Sequence, residues 1–337
     1  MTNSGSVKVS VIIKALNEEQ HIGAAIQSAI NAVDEIGGEV ILADSVSTDD
    51  TISIAKNYPV TVVQLRNAEE RRCGIGPQLG YQVATGEFIY ILDGDMELDS
   101  DFLQCGIEAM EKDPELGGVA GLVVEKSEAS YQFRGRKRRQ SGGEAGDVGW
   151  LDMGGLYRRS AIEQVDYFSN RNLHSFEEME LGFRLLNAGW KLRRLSNKSV
   201  VHHGYQVGNW KLLLGRWQSR YLDGGGEVIR ASLGKPYLMA ILLTQKHLVF
   251  GLAVWSAILI SIIRIELAIW VLSLTAFVLA LLVIVRSLRI GNLRDALFAQ
   301  VVWQVTSIAS IRGFFARNVD PLEPIDYLCI EVTPRNQ

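Results

Sequence analysis

Phe88-Ile89-Tyr90-Ile91-Leu92-Asp93-Gly94-Asp95-Met96 is the stretch from which the rest of the chain can be read. Its first five residues are apolar and β-prone, the composition of a strand buried on both faces of a parallel sheet. The strand runs into two carboxylates that straddle a glycine. Asp93 and Asp95 can therefore turn toward one point in the crevice beyond the strand's carboxyl end, where open α/β sheets take ligands. Hard oxygen ligands at that point suit Mg2+ or Mn2+ bridging the phosphates of a nucleotide. Asp and Gly are also the commonest turn residues, and a plain turn is the competing reading.

Upstream, the chain twice repeats a strand, a polar loop and a helix. Val7 to Ile13 is a β-rich run, followed by Lys14-Ala15-Leu16-Asn17-Glu18-Glu19 and a helical pattern through Ala32. Asn17 followed three residues later by Gln20 also fits a helix cap. Glu39 to Ala43 is a second strand, Asp44 to Thr51 a polar loop, Ile52 to Asn57 a helix, and Val60 to Leu65 a third strand. Strands alternating with helices imply parallel pairing through right-handed crossovers. The loops after the first two strands then open on the same edge as Asp93 and Asp95.

Composition narrows the class. The 337 residues allow one large or two modest domains, with apolar residues in surplus in the last third. The three cysteines, Cys73, Cys105 and Cys329, match no metal or redox spacing and predict a reducing compartment with no disulfide. A net charge of -4 argues against general nucleic-acid binding, and Met1 to Ser6 lack the charged-then-apolar order of a signal peptide.

Val9 to Glu19, the loop Asp44-Ser45-Val46-Ser47-Thr48-Asp49, Gly80 to Glu87 and the Asp93-Gly94-Asp95 turn together resemble the family 2 glycosyltransferases in order and spacing. The resemblance covers about Val7 to Trp217. It implies an α/β GT-A nucleotide-diphosphosugar fold, with a mostly parallel central sheet flanked by helices. It also implies that Ala15 and Glu18 lie by the nucleoside, that Asp44 meets the base, and that Asn17, Asp93 and Gly94 complete the donor site. Asp95 would hold the metal. Val46 stands where the family often has glycine. Between the third strand and the Asp-Gly-Asp turn, Arg72 is the candidate cation for the diphosphate; a solvated helix face answering Glu69 and Glu70 is the alternative.

A helix from Asp101 to Met110 and a strand from Gly117 to Val124 complete the nucleotide half. On the acceptor side, Trp150 to Arg159 resembles the family's acceptor strand, with Gly154 and Gly155 allowing close backbone approach to the sugar. Ser175 to Trp190 reads as a helix stopped by Gly189. Related enzymes usually read Glu-Asp-x-Asp-Leu-x-x-Arg here, and the second acidic residue is the general base. That position is Glu178, with Glu177 the fallback; Ser175-x-x-Glu178 also fits a capping box. A strand at Lys198 to Val201 leads to His202, which by the resemblance completes the metal site ahead of His203. Arg216 and Trp217 match the last two residues of the Gln-x-x-Arg-Trp segment of processive synthases. Leu213 replaces the glutamine, so processive polymerisation is not expected.

Arg134-Gly135-Arg136-Lys137-Arg138-Arg139 is either a solvated loop or a contact for anionic lipid. Leu248 to Ile263 and Leu267 to Val285 carry no charge, and as helices reach about 24 and 28 Å against a hydrocarbon core of about 30 Å. With only Arg264-Ile265-Glu266 between them, they predict a transmembrane hairpin. Lys235, Lys246, Arg286, Arg289 and Arg294 at its outer ends put both ends and the catalytic domain in the cytoplasm by the positive-inside rule. Ala296 to Ile311 is an interfacial helix or a weak third crossing.

The expected organisation is a GT-A domain over 1–235 (7–124 nucleotide-sugar half, 125–217 acceptor half, 209–235 interfacial helix and linker). A membrane region follows over 236–311, with helices near 247–263 and 267–285, and then a tail over 312–337. The expected function is inverting, metal-dependent transfer from a nucleotide-diphosphate sugar to an acceptor at the cytoplasmic membrane face. The acceptor would be lipid-linked or a cell-surface polysaccharide precursor. The alternatives are a polyprenyl-phosphate sugar transferase and a non-catalytic sugar-nucleotide-binding membrane protein.

Overall fold

The computed structural model describes residues 7–129, 134–135, 145–152, 154–204 and 207–332. Of the basic run, Arg134 donates to the Glu128 carbonyl at 3.0 Å, whereas residues 136–139 lie outside the described residues.

The chain divides into two compact units, one formed by residues up to 206 together with those from 318 onward, the other by 207–317. The first alternates strands and helices in the expected order: β1 (Val9–Ala15), α1 (Ile22–Asp34), β2 (Gly38–Asp44), α2 (Thr51–Ala55), β3 (Thr61–Leu65), α3 (Ile75–Val83) and β4 (Phe88–Asp93). Then come β5 (Met96–Leu98), α4 (Phe102–Lys112), β6 (Leu116–Glu125), β7 (Gly146–Asp147), β8 (Gly155–Arg158), α5 (Arg159–Gln164), α6 (Glu177–Asn187), β9 (Lys191–His202) and, after the second unit, β10 (Tyr327–Ile330).

Among the described residues these form one sheet in the order β10-β3-β2-β1-β4-β8-β6-β9-β5, with β7 on β9. The nucleotide half is parallel as expected: β1 pairs with β2 and β4, and β2 with β3. The acceptor half is mixed. β8 lies between β4 and β6 and is antiparallel to both, and β9 is parallel to β6 but antiparallel to β5. The sheet is therefore mixed: the β1–β2, β1–β4, β2–β3 and β6–β9 pairs are parallel, while β5, β7, β8 and β10 pair antiparallel.

The apolar alternation of β1 and β4 serves both faces of the sheet. Val9, Val11 and Ile13 pack with α1, while Ile12, Ile89 and Ile91 join the opposite core with Ile75 and Leu79 of α3. Burial on both faces explains why the run Phe88 to Leu92 carries no polar residue. The segment after residue 317, read from sequence as a tail, adds β10 antiparallel to β3 at the sheet edge and buries Ile325.

The second unit is helical: α7 (Asn209–Gln218), α8 (Gly224–Ala231), α9 (Leu238–Thr244), α10 (Lys246–Ile263), α11 (Ala268–Ile290) and α12 (Leu293–Phe314). Residues 207–235, expected to close the first domain, instead pack with these helices. Small residues explain the close approach: a Cβ on Gly226 would lie 1.8 Å from the Ser310 carbonyl oxygen, and one on Gly313 2.1 Å from that of Asp223. Asp223 is fully buried and paired with Arg312 at 2.6 Å and Arg220 at 2.9 Å. Among the described residues, Lys246–Ile263 and Ile265–Ile290 are long and apolar enough to cross a membrane. Ile262, Ile265, Trp270 and Leu288 are exposed by 72, 83, 76 and 80%. The turn between them carries the Arg264–Glu266 ion pair.

Candidate active site

The parallel register carries the ends of β1, β2 and β4 to one edge, with Lys14 opposite Asp93 and Ala15 opposite Asp44. Hydrogen bonds lash the loops there to one another. Asn17 Oδ1 accepts from the Thr48 amide at 2.8 Å, and the Asn17 amide donates to Ser47 Oγ at 2.8 Å. The Glu18 amide donates to Thr51 Oγ1 at 2.8 Å. Asn17 is thus a loop tie and not the cap of α1, whose N-cap is His21 with no side-chain bond. Its φ of 58° is left-handed, a region asparagine enters more readily than most residues.

Asp44 is fully buried, and its carboxylate accepts from the Ser47 amide at 2.9 Å, Ser47 Oγ at 2.5 Å and Gln64 Nε2 at 2.8 Å. Val46, with φ 65°, occupies a left-handed position that glycine takes without strain. Arg71 Nε donates to the Ser45 carbonyl at 2.8 Å, and the same guanidinium also reaches the Val46 carbonyl. Arg71 therefore clamps this turn. Arg72 Nη1 is 3.5 Å from the Glu69 carbonyl. Gly94 makes room for the donor-side loop, since a Cβ there would lie 2.8 Å from Glu18 Cγ and 3.4 Å from the Ala15 Cβ.

Asp95 and His202 come together although 107 residues separate them in the chain, because β5 pairs antiparallel with β9. His202 Nε2 lies 3.2 Å from Asp95 Oδ2, and Nδ1 lies 2.8 Å from Glu125 Oε2. All three side chains are buried. Burial pulls the His202 imidazole down, but its bonds to Asp95 and Glu125 outweigh that and hold it up at about 9. Burial raises Asp95, and the contact with His202 more than offsets it, leaving the carboxyl below its ordinary value.

The donor set fits a Mg2+ or Mn2+ ion. Asp95 offers a hard oxygen, and Glu125 orients the imidazole so that Nε2 faces it, the carboxylate–histidine pairing common behind metal-bound histidines. Among the described residues no group of three or more His, Cys, Asp or Glu side chains forms a complete cage. Glu125 was invisible to sequence reasoning, as a single glutamate at a strand end carries no spacing signal. His203 turns away and pairs with Glu97 at 2.6 Å.

On the acceptor side, α6 begins at Glu177 after a left-handed Phe176, which is the N-cap and makes no side-chain cap bond of its own. Glu177 and Glu178 lie 3.1 and 3.3 Å from Lys14 Nζ, which is also 3.1 Å from Asp93. Burial, and then the charge of Glu177, push the Glu178 carboxyl up to about 7, with Lys14 opposing. Behind them Glu180 and Arg184 form a buried pair at 2.9 Å, and Arg184 also donates to the carbonyls of Val165, Tyr167 and Phe168.

Glu177, Glu178, Gly154 and Gly155 line one cavity, together with Tyr157 and Ser169. Gly154 has φ 78°, and a Cβ there would lie 2.8 Å from Tyr90 Oη. Among the described residues, Ser169 Oγ is buried without a hydrogen-bond partner. Arg216 and Trp217 belong to the second unit, where Arg216 stacks on Tyr221 and Arg312 on Trp217.

A mixed sheet whose parallel half ends in tied polar loops, with a carboxylate pair beyond its central strand and a second pair at a helix start, defines a GT-A-type sugar-nucleotide transferase fold. Residues 10–168 match the family Glycosyl transferase family 2, and the chain carries a domain of that family. A relative from Rickettsia conorii named uncharacterized glycosyltransferase RC0292 is 35% identical over 103 residues, 30% of this chain and 31% of its own. The succinoglycan biosynthesis protein ExoA of Rhizobium meliloti is 24% identical over 210 residues, 57% of this chain and 62% of its own. The chain thus spans less than two thirds of the length of either curated relative. The solved mannosyltransferase of Pyrobaculum calidifontis, in complex with GDP-Man and Mn2+, superposes with a TM-score of 0.61 at 16% identity, covering 93% of this chain and 88% of that one, and shares the fold.

Proposed function

We propose that this protein is a membrane-associated glycosyltransferase that moves a sugar, with inversion, from a nucleotide-diphosphate sugar to an acceptor hydroxyl. The observation that carries the reading is the position of Glu178. It lines the same cavity as Gly154 and Gly155 and is joined through Lys14 to Asp93 on the donor-side turn. A carboxyl held near 7 is half-ionised at neutral pH, where a general base works best. Glu178 takes the proton from the acceptor hydroxyl, the freed oxygen attacks the anomeric carbon, and the bond to the diphosphate breaks on the opposite face. The tied loops carrying Asn17, Glu18 and Asp44 hold the nucleotide, and Arg72 is the candidate cation for the leaving diphosphate. Asp95 and His202 would hold a Mg2+ or Mn2+ ion, whose charge offsets that of the diphosphate. Tyr157 offers an apolar wall and Ser169 an unpaired hydroxyl, the mixture that a sugar ring takes.

Kinship with a succinoglycan biosynthesis protein supports an acceptor among polysaccharide precursors, and the apolar α10 and α11 support a lipid-linked one. The two helices form a hairpin with both outer ends in the cytoplasm. A cysteine placed at Ile265 should react with an impermeant reagent outside intact cells while one at Ser287 should not; labelling at Ser287 alone reverses the orientation. The activity is tested by following nucleotide diphosphate release across a panel of donors, with hydroxyl and lipid-phosphate acceptors, in Mg2+, Mn2+ or chelator. Transfer to hydroxyl acceptors with inverted anomeric configuration supports the reading. Transfer to lipid phosphate alone removes the need for a base, and no release with any donor leaves a binding protein.

A further inference from the structure

Lys14 sits one residue from the end of β1, and its ammonium reaches Glu177 and Glu178, two of the residues that line the cavity. Its three carboxylate neighbours come from two places: Asp93 ends β4, while Glu177 and Glu178 open α6, more than 160 residues away in the chain. The Lys14 ammonium donates to Glu177 and Glu178 at 3.1 and 3.3 Å and pairs with Asp93 at 3.1 Å, so its charge is taken up by carboxylates of the protein. The structure makes room for this side chain, because a Cβ on Gly76 would lie 2.8 Å from the Lys14 Cβ. A lysine enclosed at such a junction needs a reason, since an unneeded buried charge is costly.

We infer that Lys14 is a positioning residue for the reaction proposed above: it ties the donor-side turn to the start of the acceptor-side helix, and its charge keeps Glu178 ionised as the acceptor hydroxyl arrives.

The groups facing Glu178 make the charge argument. Lys14 comes from β1, Asp93 from β4, Glu177 from the same helix, Cys73 from the loop before α3, Tyr157 from β8, and Asp152 from the segment before β8. Among these only Lys14 is a cation. Burial and the neighbouring carboxylates all push Glu178 toward its neutral form, and Lys14 pulls the other way. Burial tends to strip the proton from Lys14, but Asp93, Glu178 and Glu177 outweigh it and hold its pKa well above that of an ordinary lysine. Lys14 is therefore charged throughout the range in which Glu178 titrates, a fixed charge beside a variable one.

The test uses the full chain in detergent micelles, with Lys14→Met, Lys14→Gln and Lys14→Arg. In the neutral variants the acid limb of kcat/KM should move up by about one pH unit or more, cutting the rate at neutral pH about fivefold or more. At alkaline pH the rate should recover to within a few-fold, with donor KM nearly unchanged. Lys14→Arg should return the limb close to that of the parent. An unmoved limb in the neutral variants overturns the proposal, as does a loss equal at every pH. Failure of both neutral variants to fold while Lys14→Arg folds would make the residue structural and equally overturn it. Isotope-edited infrared titration of the Glu178 carboxylate, assigned with Glu178→Gln, gives a readout independent of turnover. If the parent transfers no sugar, the proposed function fails, yet the infrared shift between parent and Lys14→Met still decides the role of Lys14.

Discussion

The donor and acceptor edges of the site are built on different physical terms. On the donor edge, polar groups are matched within the loops: Asn17 with Thr48 and Ser47, Glu18 with Thr51, and Asp44 with Ser47 and Gln64. On the acceptor edge, Glu177 and Glu178 share one lysine with Asp93 of the donor-side turn, and Glu178 is left near its point of half-ionisation. Matched hydrogen bonds fix a shape and leave nothing to titrate. Crowded like charges around a single cation do the reverse, storing a readiness to accept a proton. A donor that must bind in one pose suits the first construction, and an acceptor that must lose a proton suits the second.

Removing the titrating group should separate the edges most sharply. Glu178→Gln keeps the size of the side chain but cannot take a proton, so kcat should fall roughly 10² or more while donor affinity, set by the opposite edge, stays within a few-fold. Steady-state kinetics beside donor-binding calorimetry check both halves. Should Glu177→Gln be the inactive variant instead, the base is one residue earlier. The next effect in size concerns Glu125. Glu125→Gln leaves Asp95 and His202 in place but weakens the acceptor that orients the imidazole, and should loosen Mn2+ binding about 10–100-fold. Electron paramagnetic resonance of added Mn2+ measures this without turnover; unchanged affinity would assign the ion to other ligands.

The two edges also differ in how far the sequence reveals them. The donor edge was legible because strand, loop and helix are local patterns, and each loop lies directly after its apolar run. The acceptor edge depends on pairings between distant segments. Nothing near Lys14 announces partners 163 and 164 residues away, and Glu125 gains its meaning only when β5 brings Asp95 against β9. The insertion of β8 between β4 and β6 was hidden for the same reason, since strand order is set by long-range packing and not by local periodicity. Arg71 and Arg72 are adjacent and chemically alike, so only the fold shows which one reaches the carbonyls of Ser45 and Val46. Tyr327–Ile330 is four residues long, too short for its alternation to stand out from a tail.

The pH profile sharpens the comparison with a smaller, graded effect. Glu178 must be ionised to accept a proton, and its pKa lies at about 7, chiefly through burial and then through Glu177. Below that value the active fraction falls, so kcat/KM should drop about tenfold for each pH unit of acidification and level off above it. Donor affinity should not follow the same curve, because Glu178 opens the acceptor-side helix while the donor loops are tied to one another by their own hydrogen bonds. A donor-binding curve with a midpoint near that of turnover would place the titrating group on the donor edge.

The smallest expected effect tests whether the donor edge really is held by its hydrogen bonds. Val46 is β-branched and sits at φ 65°, a left-handed conformation that costs a non-glycine residue about 1–3 kcal/mol. Val46→Gly removes that cost but adds about 0.5–1 kcal/mol of conformational entropy to be lost on folding. The valine is also partly buried and packs against the apolar core on that face of the sheet, so some apolar contact goes with it. The balance should leave the variant about 1 kcal/mol more stable, raising Tm by about 2–4 °C for a domain of this size. Turnover should change less than twofold, because the Ser47 and Gln64 bonds to Asp44 and the Arg71 bond to the Ser45 carbonyl still hold the loop. Thermal unfolding beside kinetics decides between two accounts. A fall in Tm means that the contacts of the Val46 side chain outweigh the strain of its backbone. An unchanged Tm with a large loss of donor affinity means that the valine, rather than the hydrogen bonds around it, keeps the loop in its binding shape.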